Sequence, residues 1–448
     1  MLVYRRAMLY RFVKPFEDRR RGLVNAATII NGLGDFKKLD ERLVYCPARY
    51  AARLSQAFTA TDAVSVEVEE ILPIDDIGTA DNKFQFTDGV GTLSPELARE
   101  IWTQLKSTKR RARSLKAYPT AFQIRFMGSK GMLSVDHLLS GNTICLRPSM
   151  IKFEAPNSRE IEIARAFDRP GPYFLNRPLI MLLEDLGVPF SVFKKYQDMA
   201  VQETRKARDS LKQAATMLET FGLGSSYRLP SVLLSLDKQN IFSFPSNPFY
   251  EKMLEYAINH VLRLLKNNAR IPVPKAWTLV GVADVHKYLK PNEIFACVKP
   301  IKGGTIYLEG PILISRSPTI HPGDVMVVNA IGPPPRRDSN CPFAREPLSN
   351  TVVFSVLGKT SPCCSWQRIS FITSLLGDRP VPSCLGGGDL DGDVYNLIPL
   401  NDLPGFWPTK SHPPAQYDPA PKKELDYPST MVDVADFVME YINSDVSG

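Results

Sequence analysis

The residues most suited to metal binding or catalysis lie in one acidic loop, SCLGGGDLDGDVY at 383–395. Its aspartates, Asp389, Asp391 and Asp393, occupy alternate positions, and alternate side chains of an extended chain point to the same face. Three ionised carboxylates on one face repel one another, so the folded loop requires either a raised pKa or a bound cation. Carboxylate oxygens are ligands that suit Mg²⁺ and also Mn²⁺. The spacing therefore predicts a magnesium site formed by these three aspartates, with Mn²⁺ as its substitute.

Glycines surround the three aspartates. The loop contains Gly386, Gly387, Gly388 and Gly392. Because glycine has no side chain, a nucleic-acid backbone or a nucleoside triphosphate can approach this stretch of main chain closely. Strand-prone residues follow directly at 394–398, and they predict that a strand anchors the loop in a barrel.

Other motifs fit this segment less well. A solvated acidic turn is the simplest alternative, but it leaves four glycines and three aspartates within eight residues unexplained. An EF-hand needs a glutamate at the twelfth loop position, where this chain has Leu400. Calcium-binding β-helix units occur in arrays, and this segment stands alone. A P-loop at GKT 358–360 is excluded because Val353 replaces its first glycine. Chemistry on nucleotide phosphates remains.

The charge and composition are those of a globular protein suited to a polyanionic partner. The chain has 448 residues, which predicts two or three domains, and a net charge of +8 with a pI near 9.0. Lysine and arginine attract phosphates, although many basic proteins bind no nucleic acid. No apolar run approaches the roughly 20 residues that cross a bilayer, and the charged start does not fit a secretory signal. We therefore expect a nuclear or cytoplasmic protein, neither secreted nor membrane-bound.

The seven cysteines give no sign of a metal site. They lie at 46, 145, 297, 341, 363, 364 and 384, and none belongs to a C-x-x-C pair. In a chain without an export signal we expect them to be reduced thiols, and we do not expect a zinc site.

The periodicity of apolar residues changes twice along the chain. Short β-prone runs, such as AFQIRFMG at 121–128, dominate up to about residue 158. From 159 to 268 the spacing becomes helical, with a stripe at Leu254, Ala257, Ile258, Val261 and Leu265. Short β-prone runs separated by Gly, Pro and Asn return from 271 onward. This order predicts an α+β fold in which helices bridge two small barrels.

Six phrases of the sequence resemble a known family. They are FTDGVGTLS (86–94), QIRFMGSKG (123–131), LRPSMIKFE (146–154), PVPKAWTLVGVADVHKYLKPNEIF (272–295), SRSPTIHPGD (315–324) and GDRPVPSCLGGGDLDGD (377–393). In this order they resemble the eukaryotic cellular RNA-dependent RNA polymerases of RNA silencing, of the fungal type, over about 45–400. The aspartate loop is also similar to the metal loop of the largest subunit of DNA-dependent RNA polymerases.

The resemblance implies an α+β fold with two double-psi β-barrels in one chain, joined by a helical connector and facing each other across a cleft. The implied divisions are an N-terminal mixed segment at 1–79, a first barrel at 80–158, the connector at 159–268, a second barrel with the metal loop at 269–400, and an incomplete C-terminal tail at 401–448. Family members have further N-terminal and C-terminal parts, so we expect this chain to be a fragment.

The resemblance also implies an activity, RNA-directed RNA polymerisation. The three aspartates would bind the catalytic Mg²⁺, which polarises the 3′-hydroxyl of the growing RNA, while a second Mg²⁺ arrives with the NTP. Attack on the α-phosphate then releases pyrophosphate. The implied partners are a single-stranded RNA template, NTPs and the RNA product, which is double-stranded RNA for gene silencing. Proteins of the silencing machinery are further expected partners.

Basic residues are needed opposite the aspartates to neutralise phosphate charge. By their place in the family motifs, Lys130 and Lys152 are the first candidates for contacts with triphosphate or RNA phosphate, followed by Arg125 and Arg316. Without that context a single lysine is more often a solvated surface residue. Arg147, in the same motifs, is instead expected to be a structural ion-pair partner.

One segment departs from the family pattern. The family runs from VVFS almost directly into a K-G-x-R-P phrase, whereas here 356–376 intervenes and Leu376 replaces the basic residue. We interpret 356–376 as an insertion, either translated intron sequence or a surface loop, since loops tolerate insertion at small entropic cost. If the insertion disturbs the aspartate loop, the chain is an RNA-binding remnant without polymerase activity. A metal-dependent nuclease is the third hypothesis, which the acidic loop alone supports.

Overall fold

The structure is a computed structural model. It describes residues 15–18, 22–58, 61–79, 81–108, 118–155, 160–240, 246–300, 303–335, 340–358, 379–417 and 421–446. Most of the predicted insertion at 356–376 lies outside these residues. Its first residue, Val356, is buried in the hydrophobic core, so this position belongs to the packed fold and not to a surface insertion.

The first large sheet has seven strands. After a small hairpin of β1 (Phe16–Asp18) and β2 (Gly22–Val24), its strands are β3 (Asp62–Val64), β4 (Glu70–Pro73), β5 (Val90–Leu93), β6 (Ala121–Phe126), β7 (Ser129–Val135), β8 (Thr143–Leu146) and β9 (Ile161–Ala166). Their order is β3-β9-β6-β7-β5-β8-β4, with parallel pairs at β5–β7 and β4–β8. β3, β4 and β9 fall outside the predicted limits 80–158 of the first barrel.

Three helices accompany this sheet in the described N-terminal part of the chain. They are α1 (Ala26–Leu33), α2 (Pro47–Leu54) and α3 (Pro95–Thr108). α3 begins with Pro95, which the first turn of a helix tolerates because its N–H would be unpaired there. Its apolar face is fully buried at Leu97 and Ile101, so the helix covers the first sheet.

The β6–β7 hairpin carries two of the predicted basic residues. Its turn residues, Met127 and Gly128, have φ values of +50° and +84°, as a two-residue turn between twisted strands requires. Only glycine fits at position 128, because a Cβ there would meet the carbonyl oxygen of Phe153. The register pairs Arg125 with Lys130, so both side chains project from the same face of the sheet.

Five helices follow the first sheet in the described residues up to 268. They are α4 (Arg177–Asp185), α5 (Phe190–Lys206), α6 (Leu211–Phe221), α7 (Leu229–Lys238) and α8 (Pro248–Asn268). The Asn247 side chain caps α8, and the predicted apolar stripe is buried at Leu254, Ile258, Val261 and Leu265. The helices share a core with the second sheet. The predicted helical segment 159–268 begins with strands, since β9 and β10 (Gly171–Phe174) precede the first helix.

The second large sheet closes on itself. Besides β10 it contains β11 (Pro272–Ala283), β12 (Glu293–Val298), β13 (Ile306–Tyr307), β14 (Glu309–Arg316), β15 (Val325–Ile331), β16 (Thr351–Phe354) and β17 (Val394–Pro399). The path β11-β16-β12-β15-β14-β17 returns to its start because β17 also pairs with β11. These six strands therefore form a ring, and β17 is the strand that follows the aspartate loop.

Three short or peripheral helices complete the described chain, namely α9 (Pro342–Arg345), α10 (Val381–Cys384) and α11 (Met431–Val446). Met431 and Val434 of α11 pack on the small core that contains Tyr50 of α2. Among the described helices, none combines the length and the apolar character needed to cross a membrane.

Candidate metal and phosphate site

The aspartate loop lies between α10 and β17, and its glycines are needed for its path. Gly386 and Gly387 have φ values of +63° and +66°, in the left-handed region that favours glycine. At Gly388 the reason is space, because a Cβ there would lie 2.6 Å from the Arg316 Cδ atom. Tyr395, the fully buried second residue of β17, donates its hydroxyl to the Asp389 carbonyl at 2.7 Å. The loop is thus fixed to the second sheet.

Hydrogen bonds within the loop bring the three aspartates together. The Asp391 amide donates to Asp389 Oδ1 at 3.1 Å, and the Asp389 amide donates to Asp393 Oδ2 at 3.1 Å. The same Asp393 oxygen accepts from Arg316 Nε at 2.6 Å. Burial opposes the charge of Arg316, but the hydrogen bond and charge of Asp393 raise its pKa. Arg316, predicted to bind phosphate, is therefore the arginine that holds the loop from its own sheet.

The loop also contacts the first sheet. Lys130 Nζ of β7 lies 2.7 Å from Asp391 Oδ2, and Gln123 Nε2 of β6 donates to the Asp391 carbonyl at 3.0 Å. The Leu390 amide donates to the Asp88 carbonyl at 3.0 Å. Beside it, Gly89 approaches so closely that a Cβ would lie 2.6 Å from that of Asp391. The aspartates therefore sit at the junction of the two sheets, opposite the β6–β7 hairpin.

Asp389 has a strongly shifted pKa, which is raised to about 7. Burial is the main cause of this shift, and the negative charge of Asp391 adds to it. The neighbouring Asp88 also has a pKa raised by burial, against the opposing charge of Lys152. A divalent cation would relieve this repulsion.

The donor set of the aspartate loop fits Mg²⁺, since all three side chains offer carboxylate oxygens. Lys130 and Arg316 already hold Asp391 and Asp393, and they compete with an ion for those oxygens. The ligand atoms of these three aspartates do not all lie within 4.8 Å of one another. In the described part of the chain, Asp136, His137 and His286 form the group that meets this condition. The three aspartates are close, but their oxygens are not yet gathered around one point.

Lys152, the other leading basic residue, lies near the loop without pairing to it directly. Its Nζ donates to the Ser149 carbonyl. Burial lowers the pKa of Lys152, and the charge of Arg53 lowers it further, whereas Asp88 and Asp391 act in the opposite direction. A buried ammonium group beside carboxylates is well suited to receive a phosphate.

Arg125 is directed elsewhere. It pairs in register with Glu162 of β9, whose charge partly offsets the lowering of the Arg125 pKa by burial. Its buried Nη1 has no hydrogen-bond partner among the described residues. Arg147, expected to be structural, donates to the main-chain carbonyls of Val90 and Asp75. It binds backbone oxygens, so its partner is not a carboxylate as expected.

Three residues near the aspartates were missed by sequence reasoning. Asp88 and Gln123 lie within quoted motifs, so their neighbourhood was signalled although their roles were not. Arg53 of α2 had no signal, since it comes from the N-terminal segment that showed no motif. Burial lowers the Arg53 pKa, while the charge of Asp391 opposes this, and its buried Nε lacks a hydrogen-bond partner among the described residues.

The chain combines a mixed α+β fold with an aspartate loop opposite basic residues, and comparison with known proteins shows its family. The family model for RNA dependent RNA polymerase matches residues 5–448, and the chain belongs to this family. It is 30% identical over 435 residues to probable RNA-dependent RNA polymerase 1 of Oryza sativa subsp. japonica, a match that covers 96% of this chain and 51% of that protein.

Further relatives agree with this assignment. RNA-dependent RNA polymerase 1 of Schizosaccharomyces pombe is 29% identical over 458 residues, and the match covers 95% of this chain and 33% of that protein. Among solved structures, RNA dependent RNA polymerase QDE-1 from Thielavia terrestris has a TM-score of 0.63 and 19% identity, over 91% of this chain and 45% of that one. This structural likeness concerns the fold alone. The chain spans about half the length, or less, of these relatives.

Proposed function

We propose that this chain is an RNA-directed RNA polymerase, which transfers nucleotides from NTPs to an RNA 3′-hydroxyl on a single-stranded RNA template. The observation that supports this most directly is the contact between Lys130 and Asp391 at 2.7 Å, which joins the two sheets at the acidic loop. Carboxylates that bind metal and cations that bind phosphate must face each other in such a site. The product would be double-stranded RNA for gene silencing.

In the proposed site Asp389, Asp391 and Asp393 bind Mg²⁺ or Mn²⁺, which would supply charge neutralisation and activation of the 3′-hydroxyl. Their carboxylates position the reacting groups, and the loop glycines leave the space for an RNA backbone to approach. Lys130 and Lys152 bind the phosphates of the incoming NTP or of RNA.

The arginines have the lesser part in the proposal. Arg316 orients Asp393, and Arg125 offers its unpaired Nη1 to RNA phosphate.

The proposal includes the fold and the cellular setting. The ring of strands formed by β11, β12 and β14–β17 supports a double-psi barrel at 269–400. The first sheet would be the core of its counterpart at 80–158, with 159–268 as the helical connector, 1–79 as the N-terminal segment and 401–448 as the tail. The protein would act in the nucleus or cytoplasm together with other proteins of RNA silencing.

A nucleotide-incorporation assay on single-stranded RNA tests the activity. Full-length protein is given labelled NTPs with Mg²⁺, and wild type is compared with Asp391→Asn and Asp402→Asn. Asp402 is a matched control, because it is exposed and, within the described residues, forms its ion pair with Lys275 at 3.4 Å. We expect incorporation to fall by about 1,000-fold or more in Asp391→Asn and to persist in Asp402→Asn. Equal activity in the two variants would refute the assigned role.

An RNA-binding protein without polymerase activity is the second candidate. It is favoured by the separation of the aspartate oxygens, since among the described residues the three side chains do not bring one ligand atom each within 4.8 Å of the others. RNA binding without Mg²⁺-dependent incorporation in the same assay would support this candidate. Sequencing the spliced transcript addresses the insertion at 356–376, and reads that lack this segment would identify it as intron sequence.

A further inference from the structure

A second cluster of metal-binding side chains lies between the two sheets. Asp136 and His137 directly follow β7 of the first sheet, and His286 follows β11 of the second. One ligand atom from each of the three lies within 4.8 Å of the other two. All three side chains are half-buried, so an ion could enter and still be largely shielded from water.

The distances within this cluster match those of a tetrahedral metal site. Bonds of about 2.0–2.1 Å to a tetrahedral ion place donor atoms about 3.3 Å apart and imidazole ring centres about 5 Å apart. His286 Nε2 lies 3.2 Å from Asp136 Oδ1, and the rings of His137 and His286 have centres 5.1 Å apart. The ligand atom of His137 lies within 4.8 Å of the other two, so binding requires its side chain to move closer.

Hydrogen bonds hold both turns that present the ligands. Asp284, which is almost fully buried, accepts from the His286 amide at 3.2 Å and from the Leu289 amide at 2.6 Å. Asp136 Oδ1 accepts from the Leu138 amide at 2.9 Å. A site whose supporting turns are fixed before binding loses less entropy when the ion arrives.

This cluster is separate from the aspartate loop. Lys130, which contacts Asp391, lies at the start of β7, whereas Asp136 lies just beyond its end. The six residues of extended chain from Lys130 to Asp136 span about 20 Å, which separates the two sites. The ligand types differ as well, because imidazole nitrogens favour ions such as Zn²⁺ over Mg²⁺.

We propose that Asp136, His137 and His286 form a site for a single Zn²⁺-like ion that ties the first sheet to the second. Two histidines and one carboxylate make a three-ligand set of the kind that zinc accepts. The adjoining cavity, lined by Ser134 and Glu346 as well as by both histidines, leaves space for a fourth ligand. The ion fixes the relative position of the two sheets and thereby the width of the junction at which the aspartates lie.

From the cysteine spacing we expected no zinc site, and the ligands proposed here include no cysteine and come from segments about 150 residues apart. Metal binding at this site can be measured without polymerase activity, so its test needs no RNA. Full-length protein is stripped with a chelator, and Zn²⁺ is added back while binding stoichiometry and the melting temperature are followed. Co²⁺ replaces Zn²⁺ in a parallel sample, where the visible absorption of a tetrahedral ion with nitrogen ligands reports the geometry.

The variants are His137→Gln, His286→Gln and, as a matched control, His260→Gln. His260 is exposed on α8, away from either sheet junction. We expect wild type and His260→Gln to bind one equivalent and to melt at a higher temperature with Zn²⁺, and the other two variants to lose both effects.

His137→Gln is the decisive variant, because His286→Gln also removes the contact with Asp136 and can destabilise the fold by itself. Absence of stoichiometric binding in wild type would overturn the proposal and leave a metal-free ion pair at this position. Undiminished binding in His137→Gln would overturn it equally.

Discussion

Lys130 and Asp391 form an ion pair of 2.7 Å although they are 261 residues apart in the chain. Lys130 comes from β7 of the first sheet, and Asp391 comes from the loop before β17 of the second. In the proposed function, the pair is the point at which a phosphate-binding cation and a metal-binding carboxylate meet. Its effect on catalysis is therefore expected to exceed its effect on stability.

Replacing Lys130 by methionine tests this difference. The side chains of Lys130 and Asp391 are about 30% exposed, so losing the pair should cost only about 1 kcal/mol of unfolding free energy. Loss of a cation that neutralises phosphate charge should reduce kcat/KM for NTP by about 100-fold or more. Lys275→Met, which removes an exposed surface pair with Asp402, is the control. A wild-type kcat/KM in Lys130→Met would remove this lysine from the site.

Gly89 tests how closely the two sheets must approach. Its φ is +78°, and a Cβ there would lie 2.6 Å from the Asp391 Cβ, so Gly89→Ala should push the loop away from β7 and abolish incorporation. Gly222→Ala is a matched control, because Gly222 has a similar φ of +70° with nothing within 4 Å of the added Cβ. Gly222→Ala should lose only the free energy of unfolding that corresponds to backbone strain, about 1 kcal/mol. Comparable loss of stability and activity in both variants, measured by thermal unfolding and incorporation, would contradict the proposed collision.

Local signals made the acidic loop predictable. The alternate aspartates and their glycines lie within eight residues, and their conformation depends on φ values and side-chain size that the residue types themselves impose. The stripe of α8 was equally predictable, because its residues share one helix face. Both predictions concern residues close in sequence.

Features that depend on long-range packing escaped prediction. Nothing local connects Arg53 with Asp391, or Asp136 with His286, since each contact exists only after two distant segments have folded together. Arg125 was ranked with Arg316 by motif, but register places it opposite Glu162 of a strand that had been assigned to the helical connector. β3 and β4 have three and four residues, too few to separate from loops by periodicity, whereas the alternation of β9 at the edge of the helical segment was overlooked.

Asp389 predicts a pH dependence of divalent-ion binding. Burial and the charge of Asp391 raise its pKa to about 7. Protons and a metal ion compete for this carboxylate, so affinity for Mg²⁺ should weaken as the pH falls through about 7 and level off above it. In the absence of the ion, the contribution of Asp389 to folding stability changes with pH in the opposite direction to the Mg²⁺ affinity. The folded pKa exceeds the unfolded one, so this contribution to stability is present below about pH 4 and is lost as the pH rises towards 7.

Calorimetric titration of Mg²⁺ between about pH 6 and 8 measures this dependence. Asp402→Asn should show the same profile as wild type, because its side chain lies outside the loop. An affinity that does not change across this range would show that Asp389 is ionised throughout and would contradict the raised pKa.

Arg53 lies in a part of the chain that carries no polymerase motif, and we expect it to bind phosphate. Its guanidinium is half-buried near Asp391 and Lys152, and its Nε has no hydrogen-bond partner among the described residues. A buried donor without a partner is costly, and an incoming phosphate oxygen would satisfy it. Arg53→Ala should therefore raise the KM for NTP or RNA by about tenfold, which corresponds to one charge-assisted hydrogen bond. Arg49→Ala is the control one helical turn away, since Arg49 already pairs with Asp40 at 2.7 Å. If both variants show the same steady-state kinetics, Arg53 serves only the packing of α2.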